Sequence, residues 1–180
     1  MRLPSDQPKW QADVVRTVAR LLQNDPSWGE AVRLCLWGRP PHPGLHLAIF
    51  IEPFLQFILG GQKTLEARFS SRRIAPFGVV QAGDIVLLKQ SGGPVRGAGL
   101  VGRVWQYASP LAGLEMFVIK HFGEALRLAD CTFREASQPA SHVTVIEFSS
   151  VRRLPPVRLR KADRRGWVVL QEACAQAVLF

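Results

Sequence analysis

The stretch Gly61-Gln62-Lys63-Thr64-Leu65-Glu66-Ala67-Arg68 joins a short apolar segment to a strand-like one. The other elements can be assigned on either side of it. The preceding segment, Phe54–Leu59, is mostly apolar and favours a short helix. Gly60-Gly61 is a natural left-handed exit from such a helix. Residues 63–70 then predict a strand. We expect the two glycines to leave amide N–H groups open to an anion.

Outward from this stretch, the apolar pattern changes period several times. Apolar residues three and four apart, such as Val14, Val18 and Leu21, predict helices, whereas β-rich runs between turn residues predict strands. Gly99 and Gly102 interrupt the longest run and indicate a bulge or a barrel corner. Strands are expected at residues 45–52, 63–70, 84–90, 97–107, 142–149 and 166–170, and helices at 6–24, 27–37, 54–59, 110–128 and 171–180.

This order of elements predicts an α+β fold. Two helices precede the succession β-α-β-β-β-α-β-β, and short strands with glycine corners are typical of a small closed or partly open barrel rather than a doubly wound sheet. No GxGxxG pattern follows a strand and opens a helix, which argues against a Rossmann fold. The segment GRPPHPG at residues 38–44 breaks regular structure. We therefore assign residues 1–43 to an N-terminal helical extension and residues 44–180 to the barrel domain.

The central stretch fits the pattern G-x-K-x-x-E-x-R and resembles the signature of the ASCH domain family, which belongs to the PUA-like superfamily. Residues 51–60 resemble the strand-to-helix entry of that family, residues 83–88 its following turn and strand, and residues 143–151 its late strand. The resemblance implies a small PUA-like β-barrel of five to six strands with crossover helices. It also implies a cleft for RNA or a nucleotide-like ligand, because PUA relatives bind RNA.

The charged residues of the motif have a chemistry that suits such a ligand. Lys63 can reach a phosphate or a carbonyl oxygen, and Glu66 can accept from a base or act as a general base. Glu66 and Arg68 are two apart, so on a strand they share a face, and Arg68 can hold the carboxylate or bind phosphate. An ordinary ion pair on a solvated strand face is the alternative. The ligand-binding candidates are Gly61, Lys63, Thr64, Glu66, Arg68, Glu52, Lys89 and Ser91.

Catalysis is the second functional hypothesis. One bacterial branch of the ASCH family hydrolyses N4-acetylcytidine with a threonine three residues after the motif lysine, and another branch shows ribonuclease activity. Here Glu66 occupies that threonine's position, so only the lysine carries over, to Lys63. The branch also uses a glutamate from the crossover helix, for which Glu124 is the candidate. The alternative function is therefore a hydrolase on a modified nucleoside, or a ribonuclease, with Lys63, Glu66 and Glu124 as its catalytic residues.

The charge of the chain favours a polyanionic partner. Lysine and arginine total 23 against 14 acidic residues, which gives a net charge of +9, and arginine dominates. The planar guanidinium matches phosphate oxygens in pairs. An arginine-rich composition without function is the alternative. Trp167, beside the densest basic stretch, is expected to pack in the core rather than to stack on a base. The nucleic-acid-binding candidates are Arg72, Arg73, Arg158, Arg160, Lys161, Arg164 and Arg165.

The remaining features argue against other classes of protein. The three cysteines are far apart, and the four histidines form no metal pattern, so we expect neither a metal nor another cofactor. No apolar run is long enough to span a bilayer and no signal peptide is visible, so we expect a cytoplasmic protein without a membrane partner. The sequence leaves the oligomeric state open.

Overall fold

The computed structural model of the chain describes residues 8–37, 41–110, 112–128, 139–159 and 164–174. Four helices and six strands follow one another in the order expected from the sequence. They are α1 (Lys9–Leu22), α2 (Gly29–Trp37), β1 (Leu45–Phe50), α3 (Phe54–Leu59), β2 (Leu65–Ser70), β3 (Ile85–Gln90), β4 (Val95–Ala108), α4 (Leu114–Leu126), β5 (His142–Val157) and β6 (Trp167–Gln171).

The six strands form one curled sheet in the order β2-β5-β4-β3-β1-β6, which makes a half-barrel. All neighbouring pairs are antiparallel except β1 and β3, which α3 and β2 separate along the chain. β1 and β3 are buried along almost their whole length, as their nearly continuous apolar sequences predict. The predicted α+β fold with a six-stranded barrel-like sheet is confirmed. Strands β2 and β6 are the two edges of the sheet. The curl of the sheet brings these edges towards each other, and the gap between them is called the seam.

Two differences from the predicted strands have local causes. β5 runs on to Val157 instead of ending near residue 149, because the 14-residue β4 pairs with it along most of its length. The register of that pair is irregular around Gly102, as expected for a bulge. Gly99, by contrast, pairs regularly with Val151. Its lack of a side chain makes room for the ring of Phe148, which a Cβ would meet at 2.5 Å.

Each helix covers a different part of the sheet. α1 and α2 share one hydrophobic cluster with β1 and β3, in which Val14 and Leu22 pack with Leu47 and Leu87. α3 belongs to a second cluster with β1, β3 and β5, and α4 to a third over β2 and β5. Trp28, which precedes α2, is buried in the first cluster. The N-terminal helices therefore dock on the sheet through a common core.

Some predictions fall where the structure gives no description. The segment at residues 38–40 and most of the predicted terminal helix, residues 175–180, lie outside the described residues. Within the described part, His42 and Cys174 form an isolated antiparallel bridge, so the chain after β6 returns to the segment that precedes β1. Among the described helices, none combines the length and the apolar character needed to cross a membrane.

Candidate functional site: a basic cleft at the seam of the half-barrel

A cleft of about 620 Å³ opens between the end of β2, the start of β5, the start of β6 and the loop at residues 71–80. Its charged side chains are two arginines, and the described lining contains no aspartate or glutamate. Aromatic rings from the loop and from two strands line the rest. The lining residues that matter most here are Arg68, Phe77, His142, Thr144, Arg165 and Trp167. A polyanion or a planar base is the ligand that such a lining suits.

Arg68 joins the two sides of the seam. It lies on β2, and its Nη2 donates a hydrogen bond of 2.9 Å to the carbonyl oxygen of Ile49 on β1. Its Nη1 lies 3.5 Å from the carbonyl oxygen of Gly166, just before β6. The guanidinium also stacks on the rings of Phe50 and Trp167, with centroid distances of 4.8 and 5.7 Å. One side chain thus ties an edge strand to the opposite end of the sheet and still lines the cleft.

Glu66 holds two cations behind the cleft. Its Oε1 lies 2.9 Å from Nε of Arg68, and its Oε2 lies 3.3 Å from Nζ of Lys63. The Arg68 contact is an ion pair rather than a well-aligned hydrogen bond. The Glu66 side chain is only 10% exposed, so water screens these charges little. Lys63, Glu66 and Arg68 therefore converge, but only Arg68 reaches the lining of the cleft.

Lys63 is bound to the end of helix α4. Its Nζ donates a 2.8 Å hydrogen bond to the carbonyl oxygen of Leu126, the last residue of that helix. The backbone N–H of Thr64 donates to the carbonyl oxygen of Ala125 at 3.2 Å. The last carbonyl groups of a helix lack partners within it and carry a partial negative charge, which a buried ammonium satisfies. Part of the motif thus caps the crossover helix, although 63 residues separate Lys63 from Leu126 in sequence.

The expectation of open amide groups at Gly60 and Gly61 is wrong. The N–H of Gly60 donates to Gln56 and that of Gly61 to Ile58, because the chain closes the end of α3 with its own backbone. The predicted left-handed turn is confirmed at Gly61, which has a φ of +74°. Its role is conformational: only glycine adopts this angle without strain.

The other ligand-binding and catalytic candidates lie away from the cleft lining. Glu52 is exposed and accepts the backbone N–H of Gln56 in the first turn of α3. Lys89 is buried and donates to the carbonyl oxygen of Gln90, and Ser91 is exposed in the turn after β3. Glu124 is exposed on α4, beside a separate hollow of about 470 Å³. Thr64 is exposed just before β2. The roles predicted for these residues stay predictions.

The basic candidates divide into two groups. Arg72 and Arg73 are exposed in the loop next to the cleft, and Arg73 stacks at 5.8 Å on Phe77 of the lining. Arg164 is exposed before β6, and the adjacent Arg165 lines the cleft. Arg158, in contrast, lies beside helix α1, in a groove with Trp10. Arg160 and Lys161 lie outside the described residues.

A buried polar chain behind the cleft was not predicted. Trp167, expected to be a core residue, is indeed 6% exposed, but it also lines the cleft. Its indole N–H lies 3.3 Å from Nδ1 of His46. An indole nitrogen can only donate, so Nδ1 accepts and the imidazole proton sits on Nε2, 2.9 Å from Oδ2 of Asp84. The one signal in the sequence was His46 itself, a polar residue within the apolar strand LHLAIF.

Asp84 is fixed by the backbone around it. Its Oδ1 accepts the N–H of Gly44 at 2.6 Å, and its Oδ2 accepts the N–H of Gln81 at 2.9 Å. The side chains of Asp84 and His46 are both fully buried. Such satisfied polar networks hold a unique arrangement of the groups at their ends. Here the group at the end is the ring of Trp167.

The hydroxyl group of Thr144 is another feature that the sequence did not indicate. It lies on β5 opposite Arg68, in a residue that is 1% exposed, and it has no hydrogen-bond partner. Thr144 nevertheless lines the cleft.

As for metals, no group of three or more histidine, cysteine, aspartate or glutamate side chains in the described part of the chain is arranged to hold an ion.

Comparisons with known proteins identify the fold. No protein-family model matches the sequence, and no curated protein matches it. Several solved structures do match, among them two crystal structures from Zymomonas mobilis: a mutant of the ZmASCH protein (TM-score 0.57, 15% identity, 73% of this chain and 91% of that one) and ASCH (TM-score 0.50, 16% identity, 63% and 73%). The likeness at this identity is one of fold, and it agrees with the motif resemblance. The chain therefore has the fold of these ASCH structures.

Proposed function

We propose that the chain is an RNA- or nucleotide-binding ASCH domain protein that holds a base and its phosphate in the cleft beside Arg68. The observation that carries this proposal is the composition of the cleft. Arg68 and Arg165 are its charged side chains, with no carboxylate among the described lining residues, and Phe77 and Trp167 supply aromatic surface. Basic side chains next to rings combine phosphate contact with base stacking.

Size and overall charge agree with this assignment. The volume of about 620 Å³ lies within the roughly 300–1,000 Å³ that is usual for small-ligand sites. Arg72, Arg73 and Arg164 are exposed in the two segments that border the cleft, so a longer strand has further cations to follow. The net charge of +9 favours association with any polyanion. Specificity must therefore come from the cleft rather than from the charge.

The predicted Lys/Glu/Arg site is proposed here in a modified form. Arg68 contacts the ligand, whereas Glu66 and Lys63 hold Arg68 from behind. Glu66 engages Nε of the guanidinium, which leaves its Nη atoms directed to Ile49, to Gly166 and towards the cleft. A guanidinium held in this way loses little conformational freedom on binding, and such preorganisation improves affinity.

Binding of labelled single-stranded RNA tests the proposal. Fluorescence anisotropy across a salt series is expected to show an affinity that falls steeply with rising salt, because phosphate contacts release counterions. Arg165→Gln is expected to weaken binding and to flatten the salt dependence by about one unit of slope. Arg20→Gln, on the exposed face of α1, is the matched control and is expected to change little. Absent or salt-insensitive binding by the wild-type chain contradicts the proposal.

The hydrolase alternative is less well supported by the geometry. Lys63 is 3% exposed and bound to Leu126 and Glu66, and Glu66 is shared by two cations. Neither residue lines the cleft, and Glu124 lies beside a different hollow. A general base must reach the group from which it takes a proton. Acylated nucleosides and RNA substrates, assayed with the wild-type chain and Lys63→Met, decide the matter: turnover that the variant loses would favour the enzyme.

A further inference from the structure

The hydroxyl group of Thr144 is a buried polar group with an unexplained position. It has no hydrogen-bond partner, and the residue is 1% exposed in the middle of the pairing between β2 and β5. Most buried hydroxyl groups in folded proteins are satisfied, because leaving one unpaired destabilises the fold. A valine would fill the same space on a strand without that cost. The free protein thus gains nothing in stability from a threonine here.

We propose that Thr144 is the specificity-determining residue at the floor of the cleft, where its hydroxyl group hydrogen-bonds the base of a bound nucleoside monophosphate. This inference rests on the proposed function and deepens it. Thr144 lines the cleft, and its register partner on β2 is Arg68, so the hydroxyl and the guanidinium lie on the same face of the sheet. A ligand held by Arg68 therefore passes next to Thr144.

The distribution of polar and charged groups gives the orientation of the ligand. Thr144 is buried at the floor, whereas Arg165 is exposed just before β6. A ligand that satisfies both carries an uncharged hydrogen-bonding group at one end and a negative charge at the other. A nucleoside monophosphate with its base inward and its phosphate outward meets this requirement. Inside the cleft, the rings of Phe77, His142 and Trp167 face the apolar surface of such a base.

The rings of Phe77 and His142 form an edge-to-face pair in the lining of the cleft. Their ring centroids are 4.8 Å apart, and the rings stand at 84° to each other. Phe77 belongs to the loop at residues 71–80, and His142 lies two residues before Thr144 on the same face of β5. The oxygen is itself buried in the free protein, and rotation about Cα–Cβ of Thr144 moves it to another staggered position.

A threonine hydroxyl group can both donate and accept a hydrogen bond, so it can form a hydrogen bond with any of the four bases. The contact therefore distinguishes nucleotides from base-free sugar phosphates rather than one base from another. We expect AMP, GMP, CMP and UMP to bind with similar affinities. Ribose 5-phosphate, which carries the phosphate without the base, is expected to bind more weakly.

Thr144→Val tests the inference through two readouts with opposite signs. In the free protein the variant removes an unpaired hydroxyl group, so its melting temperature is expected to rise by about 2–4 °C, in line with a gain of about 1 kcal/mol for a chain of this length. In calorimetric titrations its affinity for AMP is expected to fall by about tenfold, whereas its affinity for ribose 5-phosphate stays unchanged. Thr17→Val, on the exposed face of α1, is the matched control.

Each outcome has a distinct meaning. A variant that is more stable but binds AMP as tightly as the wild-type chain overturns the inference and leaves the proposed function intact. A less stable variant overturns it too, because Thr144 then has a structural partner. If the wild-type chain binds neither the nucleoside monophosphates nor RNA, the proposed function itself fails. A more stable variant with weakened AMP binding supports the inference.

Discussion

The Nε atom of Arg68 lies 2.9 Å from Oε1 of Glu66, and this contact fixes the arginine that spans the seam of the half-barrel. Arg68 reaches across to Ile49, while Glu66 also holds Lys63, whose ammonium is bound to the end of α4. The motif thus connects an edge strand, the opposite end of the sheet and the crossover helix. This single network holds these elements together and also positions Arg68 at the cleft. Substitutions in it are therefore expected to affect stability and binding together.

Glu66→Gln is the most direct test of the buried network. The amide keeps the shape of the side chain but removes the one negative charge between Lys63 and Arg68. Loss of one member of a buried ion pair typically destabilises a protein by about 3–5 kcal/mol. We expect a decrease of about 3 kcal/mol in the free energy of unfolding, measured in urea. Glu172→Gln, at an exposed position after β6, is the control; equal small effects of both substitutions would contradict the network's role.

The sequence was informative where structure is local. The apolar segment Phe54–Leu59 forms a helix with the predicted bounds, and the order of all ten elements follows from periodicity and turn residues. The convergence of Glu66 and Arg68 also follows from their spacing on a strand. These features depend on residues that are neighbours in the chain.

The sequence was uninformative where contacts cross the fold. The register that places Thr144 opposite Arg68, and the chain from Asp84 through His46 to Trp167, join residues 38 to 121 positions apart. Periodicity assigns a face to each residue but does not say which strand lies beside it. The location of the cleft therefore depended on knowing that β2 and β6 are the two edges of the sheet.

Lys63→Met is expected to loosen the end of helix α4. Methionine fills a similar volume but leaves the carbonyl oxygen of Leu126 without its donor. We expect the amide protons of the last turn of α4 to exchange at least several-fold faster, with a loss of about 1–3 kcal/mol in unfolding free energy. Lys120→Met, at an exposed position of the same helix, is the control. Unchanged exchange in Lys63→Met would show that the hydrogen bond does not hold the helix end.

His46 is expected to position Trp167 through its tautomer. His46→Gln retains an acceptor for the indole and a donor for Asp84, whereas His46→Leu retains neither. We expect His46→Leu to lose about 1–3 kcal/mol of stability and to bind RNA less tightly, with His46→Gln closer to the wild-type chain on both measures. The indole N–H resonance of Trp167 is a direct reporter. If both variants shift it equally, the hydrogen bond is not what fixes the ring.

Cys35 is expected to make stability depend on pH in the alkaline range. Burial raises the pKa of its thiol to about 12 from 9.0, and the negative charge of Asp84 adds to this effect. Below pH 9 the thiol is protonated in both the folded and the unfolded chain, so it contributes no pH dependence. Above pH 9 only the unfolded chain ionises readily, which favours unfolding until the folded thiol also ionises. The contribution of Cys35 is therefore lost as pH rises from about 9 towards 12.

Unfolding of the wild-type chain and Cys35→Ala in urea at several pH values isolates this contribution, because all other groups titrate in both proteins. The stability difference between them is expected to be constant below pH 9. Above it, the advantage of the wild-type chain is expected to shrink by up to about 1.4 kcal/mol per pH unit. Cys174→Ala, whose sulfur is only partly buried, is the control. Parallel stability curves for the wild-type chain and Cys35→Ala up to about pH 11 would show that the folded thiol ionises as readily as the unfolded one.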